Sequence, residues 1–207
     1  MCDNKGSLIV ISGFSGSGKG TIVSELINRY DGYVVSVSAT TRKPRENEIY
    51  GKHYFFKTEA EFEQMIERGE LIEYARYVDN YYGTPKEYVE NMLKAGKNVI
   101  LEIEVIGAKK IKELYNDAIM VFVMPPDIAK LKDRLENRAT EDKNVLMQRL
   151  NRAKEELEYT KYYDYILIND KLDFAVENIH SIVCAHKHKI EFNGEFLHRI
   201  KSELDNV

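Results

Sequence analysis

The sequence predicts an α/β protein with a three-layer core around a parallel sheet and a small inserted mixed α/β lobe. Continuous apolar runs of strand length alternate with helical patterns, which is typical of parallel sheets covered on both faces. A glycine-rich loop follows the first apolar run, and charged, irregular sequence then interrupts the alternation. We expect one domain over residues 1–207, with a core at about 5–35, 95–130 and 155–190 and an inserted lobe at about 36–90.

The core elements follow from the spacing of the apolar residues. Apolar runs predict buried strands at residues 8–12, 33–38, 98–104, 118–124 and 163–169. Helical patterns predict helices at about 19–29, 108–115, 127–138 and 141–161, and from about 172 past Cys184. His186 and His188 are two residues apart and do not share a helix face for metal binding, so we expect both to be solvated in the last helix. The tail from about 190 to 207 is expected to form one more helix, either on the surface or at a partner contact.

The inserted lobe contains its own helix-start signals. Thr58 and Glu61 form a T-x-x-E capping box, and partial alternation over residues 70–79 predicts a strand. A second capping box begins at Thr84, with Pro85 at the predicted first helical position. The lobe is therefore expected to mix short strands with two helices.

Composition and charge exclude several classes of function. The 207 residues are 43% hydrophobic and carry a formal charge of −4, so no bulk attraction to nucleic acid or membrane is expected. The two cysteines, Cys2 and Cys184, lack metal or disulfide spacing, which favours a reducing compartment. No signal-peptide pattern or bilayer-spanning run is present, so we expect a cytoplasmic protein. The oligomeric state stays open.

The stretch GFSGSGKGT at residues 13–21 matches the phosphate-loop pattern G-x-x-x-x-G-K between a strand and a helix. Glycines let backbone N–H groups turn toward phosphate oxygens, and the helix start adds its positive end. A glycine-rich turn with an incidental lysine is the disfavoured alternative. The predicted nucleotide-phosphate ligands are Gly13, Ser15, Gly16, Ser17, Gly18, Lys19, Gly20 and Thr21.

Gly20 stands where a metal-binding Ser or Thr usually follows the lysine of such a loop, and Thr21 comes next. The ending GKGT is similar to that of adenylate kinases. Two alternatives stay open for Mg²⁺. Either Thr21 holds the ion or its water, or the ion rests mainly on phosphates and water, since it dehydrates reluctantly.

A second phosphate site is predicted in the charged loop of the lobe. Arg42 and Arg45 flank Pro44, which fixes the local backbone, and two guanidinium groups can grip one phosphate. Tyr54 and Tyr82 are candidate hydroxyl donors. From the spacing alone, a solvated charged loop is an equally good interpretation.

Several motifs in one order resemble the guanylate kinase family over about residues 8–185. They are the phosphate loop, SATTRKPR, GKHYFF, IEYARY, YYGT, ILEIEVIGA, RLENR and IND. The resemblance implies a P-loop core, a GMP-binding lobe, a helical lid at about 131–154, and Mg²⁺-dependent transfer of the γ-phosphoryl group of ATP to GMP. dGMP is a further candidate acceptor. The implied GMP ligands are Ser38, Arg42, Arg45, Tyr54, Glu73, Tyr82, Thr84 and Glu104.

The two glutamates among these residues suit guanine on chemical grounds. Guanine presents two donors on one edge, and an ionised carboxylate only accepts hydrogen bonds. Glu73 and Glu104 therefore fit guanine better than adenine. Without the resemblance, an exposed strand carboxylate at Glu73 and a helix-start charge at Glu104 are preferred. The family usually has Asp where Glu104 stands.

Glu102 precedes Glu104 by two residues, so both are expected on one face of a strand, at the carboxyl end where α/β sheets bind ligands. We assign Glu102 to the water shell of Mg²⁺. A charge placed at a strand end is an equally good interpretation.

Arginines in the lid are the predicted groups for phosphoryl transfer, which depends on alignment and charge stabilisation. Arg134 and Arg138 share a helix face. The resemblance places both near ATP and lets Arg149 bridge the two nucleotides, whereas Arg152 fits a solvated face. The implied catalytic set is Lys19, Arg42, Arg134, Arg138 and Arg149. Asn169 is implied to contact adenine, and no protein base is required.

Two rival functions stay open at this stage. One is a kinase for another nucleoside monophosphate, supported only by the GKGT ending. The other is a catalytically inactive guanylate-kinase-like module that binds protein partners. Gly13, Gly18, Lys19 and the lid arginines argue against it.

The tyrosines at 159, 162, 163 and 165 are expected to pack with exposed hydroxyls.

Overall fold

A computed structural model describes residues 5–77, 79–136 and 143–206 of the chain. Nine strands are described in these ranges: β1 (Leu8–Gly13), β2 (Tyr33–Val35), β3 (Ala39–Thr40), β4 (Phe55–Phe56), β5 (Leu71–Tyr77), β6 (Asn80–Pro85), β7 (Asn98–Glu102), β8 (Ile119–Met124) and β9 (Tyr165–Ile168). The α-helices are α1 (Lys19–Arg29), α2 (Glu59–Glu67), α3 (Lys86–Lys94), α4 (Val105–Leu114), α5 (Ile128–Glu136), α6 (Lys143–Leu157), α7 (Leu172–Lys187) and α8 (Gly194–Leu204).

The main sheet has five parallel strands in the order β2-β7-β1-β8-β9. β1 lies at its centre, and all six of its residues are buried. Because side chains alternate along a strand, Ile9 and Ile11 pack against α1 and α7, whereas Leu8 and Val10 pack against α3 and α4. The predicted three-layer α/β core is confirmed.

A second sheet has four strands in the order β4-β3-β6-β5 and lies in the connection from β2 to α3. β5 and β6 form an antiparallel pair, whereas β3 and β4 are parallel, so this sheet is mixed. Phe62 of α2 is fully buried and stacks on the ring of Tyr81. The predicted capping box is confirmed, since Thr58 and Glu61 exchange both side-chain-to-backbone hydrogen bonds.

Several predicted element boundaries are wrong. The strand expected at 33–38 ends at Val35, after which the chain leaves the main sheet. The strand expected at 98–104 ends at Glu102, and the helix that follows begins at Val105 rather than Ala108, because extended Glu104 is already its N-cap residue. The capping box at Thr84 does not form. Thr84 lies in β6, and Pro85 is the N-cap residue of α3.

Two predictions about exposure are also wrong. His186 is buried and stacks on Phe192, because the chain after α7 folds back over that end of the helix. The Tyr163 hydroxyl is buried between the sheet and the α5–α6 layer. The expected tail helix is present as α8, with Phe196, Leu197 and Leu204 exposed. Across the described ranges, no helix is long and apolar enough to cross a bilayer.

Candidate nucleotide site

The glycine-rich loop joins β1 to α1 at the carboxyl edge of the main sheet. Gly13 has a φ of 144°, and a Cβ there would lie 2.1 Å from the Val123 carbonyl oxygen. Gly18 has a φ of 91°, and its Cβ would lie 2.4 Å from Asn169 Nδ2. Only glycine fits this left-handed backbone and these close contacts, so the sequence fixes the path of the loop.

The remaining loop residues occupy different depths. The side chain of Ser15 is exposed, whereas that of Ser17 is buried. Lys19 Nζ donates to the carbonyl oxygens of Gly13, at 2.6 Å, and Phe14, at 3.2 Å, so its ammonium group lies over the loop. Thr21 is exposed in the first turn of α1. This combination of backbone N–H groups, helix start and ammonium group forms an anion site.

Asn169 and Arg134 hold the main chain of the loop. Asn169 Nδ2 donates to the Ser17 carbonyl oxygen at 2.8 Å, and Arg134 Nη2 donates to the Asn169 carbonyl oxygen at 2.8 Å. Arg134 Nη1 also reaches the Ser17 oxygen, at 3.3 Å. Arg134 of α5 and Asn169, the residue after β9, therefore fix the position of the loop main chain.

Two further lid arginines were predicted beside this loop. Arg149 is a half-buried residue of α6. Arg138 lies outside the described residues. The contacts of Arg138, Arg149 and Asn169 with nucleotides stay predictions.

The residues near Gly20 suit a Mg²⁺ ion that keeps most of its water better than one bound by protein ligands alone. A Cβ at Gly20 would lie 3.7 Å from Glu102 Oε2, so the missing side chain leaves the Glu102 carboxylate beside the loop. No group of three or more His, Cys, Asp or Glu side chains that could hold a metal occurs in the described ranges. Mg²⁺ usually keeps several waters and binds one or two carboxylates together with phosphates.

A second cationic site lies on the second sheet. Arg42 Nη2 pairs with Glu48 Oε1 at 2.8 Å, and the guanidinium lies 5.4 Å from the ring centre of Tyr54. The Tyr54 and Tyr82 rings meet edge to face at 6.1 Å. The hydrogen bond to Glu48 is the main reason that the pKa of Arg42 is raised, and the same bond lowers the pKa of Glu48.

Arg45 joins this second cationic site only through its backbone in the described contacts. Its N–H donates to Glu48 Oε2 at 2.7 Å, while its side chain is exposed. Sequence reasoning missed Glu48, whose position between the arginines and GKHYFF was the available signal. Ser38 is half-buried in the segment between β2 and β3, where its carbonyl oxygen accepts from Phe55 N–H.

Glu73 is a buried carboxylate on β5, only 5% exposed. The register pairs it with Thr84, whose hydroxyl donates to Glu73 Oε1 at 2.7 Å. Burial raises the pKa of Glu73, and the Thr84 hydrogen bond opposes that shift. A Cβ at Gly107 would lie 2.5 Å from Glu73 Oε2, so glycine in α4 makes room for the carboxylate. An exposed strand carboxylate is therefore excluded for Glu73.

Glu104 differs from the prediction, because it does not lie on the strand with Glu102. It is the exposed N-cap residue of α4, and its side chain makes no capping hydrogen bond. Arg152 Nη2 lies 3.4 Å from Glu104 Oε2, and Arg152 Nε lies 3.0 Å from Glu156 Oε1. The solvated face expected for Arg152 is therefore wrong, and Glu156 was missed. The spacing of Arg152 and Glu156, one helical turn apart, was the available signal.

These features define the class of the protein. A parallel sheet with a phosphate loop at its carboxyl edge, between a strand and a helix, is the arrangement of a P-loop protein. Comparison with known proteins then gives the family. The guanylate kinase family profile matches residues 5–186. The chain belongs to the guanylate kinase family.

Individual relatives agree with this assignment. The chain is 50% identical to a guanylate kinase of Shouchella clausii (strain KSM-K16) over 92% of its length and 93% of that protein. It is 43% identical to a guanylate kinase of Clostridioides difficile (strain 630) over 99% and 100%. It is also similar to the crystal structure of a guanylate kinase from Anaplasma phagocytophilum, with a TM-score of 0.74, 29% identity and coverage of 90% and 89%.

Proposed function

We propose that this protein is an ATP-dependent guanylate kinase that transfers the γ-phosphoryl group of ATP to GMP and releases ADP and GDP. dGMP is a second candidate acceptor. The observation that best supports this proposal is the buried Glu73 carboxylate with its Thr84 donor. It lies at the same sheet as the cation and hydroxyl groups of Arg42, Tyr54 and Tyr82. A base-binding carboxylate and a set of phosphate-binding side chains at one sheet fit a nucleoside monophosphate.

Guanine is the base that this carboxylate fits. A buried ionised carboxylate requires donors, and Thr84 supplies one of them. Guanine N1–H and the 2-amino group supply two more, whereas adenine N1 would present an acceptor and leave lone pairs unpaired. Such mismatches discriminate more strongly than pocket size. Glu104, Ser38 and Arg45 complete the proposed GMP ligands.

The phosphate loop is proposed to hold ATP. Its backbone N–H groups would surround the phosphates, and Lys19 would exchange its two carbonyl contacts for phosphate oxygens. Arg134, Arg138 and Arg149 would add charge stabilisation, with Arg42 on the acceptor side. The accepting oxygen belongs to a phosphate that is ionised at neutral pH, so alignment supplies most of the rate and no protein base is used.

We propose that Glu102 and Thr21 bind the hydrated Mg²⁺ that accompanies ATP, and the missing side chain at Gly20 leaves space beside Glu102. When bound, the ion neutralises charge on the β- and γ-phosphoryl oxygens. ATP and GMP are the proposed partners, and a cytoplasmic location stays a prediction.

The test is steady-state turnover with ATP and Mg²⁺ on GMP, dGMP, AMP, UMP and dTMP. We expect GMP to be the best acceptor, with kcat/KM at least about 100-fold above that for AMP, because Glu73 and guanine are complementary. Faster reaction with AMP would overturn the base assignment. GMP binding by calorimetry without any turnover would favour the inactive interaction module.

A further inference from the structure

Arg152 of α6 forms an ion pair with Glu104 at the start of α4. The two residues lie 48 positions apart in the sequence. Its Nη2 lies 3.4 Å from Glu104 Oε2, while its Nε lies 3.0 Å from Glu156 Oε1 on its own helix. A guanidinium group is a planar fork, so fixing one edge fixes the direction of the other. The geometry at Glu104 is therefore set by residues of α6.

Glu156 is the buried member of this arrangement. It is only 5% exposed, and its Oε2 has no hydrogen-bond partner among the described residues. The neighbouring Ala153 is buried in the cluster that packs α6 against Phe14 and Phe122. Because a buried carboxylate depends strongly on its cation, we expect the Arg152–Glu156 pair to persist.

Glu104 is the exposed member of this arrangement. Its side chain is 50% exposed and makes no hydrogen bond to the α4 N-terminus. A glutamate has several rotatable bonds, and holding it in one geometry costs entropy. Among the contacts described above, Arg152 is the group that restrains it.

We propose that Arg152 is a positioning residue that holds the Glu104 carboxylate in the orientation that reads guanine. This inference rests on the proposed function. The ion pair and base recognition are compatible, because a carboxylate offers about four lone-pair sites and Arg152 contacts one oxygen.

The same helix face carries Arg149, three residues before Arg152. Arg149 is proposed to bridge the phosphates of the two nucleotides, so α6 would contribute to both ends of GMP. The base site and the phosphate site would thereby share one rigid support.

A double-mutant cycle on GMP kinetics tests the proposal, with Arg152→Ala, Glu104→Asp and the two combined. Glu104→Asp keeps an acceptor for guanine but is one methylene too short for the contact to Arg152. In the Glu104 background, Arg152→Ala should raise KM for GMP about fivefold, the size expected of a partly exposed ion pair, and leave kcat and KM for ATP within about twofold. In the Glu104→Asp background the same change should have no further effect.

Arg152→Lys should restore part of the GMP affinity, since it keeps the charge without the fork. Arg199→Ala is the matched control, because Arg199 forms an i,i+4 pair with Glu203 on the distant α8. Its kinetics should equal those of the wild type. Thermal midpoints of all variants separate folding defects from binding defects.

Equal effects of Arg152→Ala in both backgrounds, no effect in either, or tighter GMP binding would each overturn the inference. Tighter binding would mean that Arg152 competes with guanine for Glu104. These outcomes require a wild-type protein that turns over GMP. A wild type that does not would instead refute the proposed function and this inference with it.

Discussion

The phosphate loop and the second cationic site of this protein are built in different ways. The phosphate loop is one continuous segment, and its shape depends on left-handed glycines and on carbonyl oxygens held by Lys19, Asn169 and Arg134. The site on the second sheet uses side chains from separate strands and loops, such as Arg42 with Glu48 and Glu73 with Thr84. Main-chain geometry shapes the first site, and strand register shapes the second.

This difference predicts how each site responds to mutation. Loss of a loop group should damage ATP chemistry and leave GMP affinity nearly intact. Loss of a side chain on the second sheet should lower GMP affinity and leave ATP binding nearly intact. Substitutions on each side can therefore sharpen the contrast or break it.

The largest effect is expected for Lys19→Met on the loop side. Removing one charged donor from the transferring phosphates should lower kcat about 10²- to 10³-fold. Lys19 also donates to two loop carbonyls, so the thermal midpoint should fall by a few degrees at most. Steady-state kinetics and thermal unfolding measure both. Lys132→Met, on the exposed face of α5, is the control, and unchanged turnover in Lys19→Met would contradict the transfer mechanism.

Glu73→Gln should follow on the second-sheet side. Replacing a carboxylate that accepts from guanine should lower kcat/KM for GMP about 100-fold, with KM for ATP unchanged. Calorimetry with GMP and steady-state rates check this, with Glu63→Gln on the exposed face of α2 as the control. An equal loss for ATP would break the contrast between the sites.

The same residue gives a prediction about pH. Burial raises the pKa of Glu73, so the folded protein holds this proton more readily than the unfolded chain. The stability linked to this proton is present at low pH and is lost as pH rises through the folded pKa. At pH 7 the neutral Glu73→Gln variant should therefore have the higher thermal midpoint without ligand. KM for GMP in the wild type should rise as pH falls, beginning above the range of an ordinary glutamate.

Asn169→Ala should have a smaller effect on the loop side. The change removes the hydrogen bond to the Ser17 carbonyl oxygen and opens space beside Gly18, which should cost about 1–3 kcal/mol of stability. KM for ATP should rise about tenfold and KM for GMP should not change. Urea unfolding and kinetics test this against Asn178→Ala on the exposed face of α7. A changed KM for GMP would show that the loop is not independent.

Thr58→Ala should have the smallest effect, and none on either site. It removes the N-cap of α2, which should cost about 1 kcal/mol of stability, measurable as a lower urea midpoint. Thr58→Ser keeps the capping oxygen and is the control. Altered kinetics in the alanine variant would mean that α2 supports the GMP site more directly than its contacts indicate.

The sequence predicted what is encoded locally. The buried strands, the phosphate loop and the Thr58 capping box depend on neighbouring residues, and the structure confirms them. The capping box at Thr84 failed because the pattern cannot show that β5 places Glu73 opposite its hydroxyl. Likewise, the contact of Arg152 with Glu104 joins two helices and depends on packing. The assignment of site residues to ATP and GMP stays a prediction.

The second sheet occupies a single insertion in the connection from β2 to α3. The chain leaves the main sheet after Val35, where Ser36 N–H still donates to Ile100, and it re-enters through α3 after Pro85. None of the described strands pairs in both sheets. Most of the proposed acceptor ligands lie in this insertion, whereas Glu104 lies outside it at the start of α4. A foreign segment transplanted between Ser36 and Lys86 would leave the phosphate loop unaltered, and it would change the acceptor only if positions 104 and 107 also suit the base-binding side chain that the new segment presents.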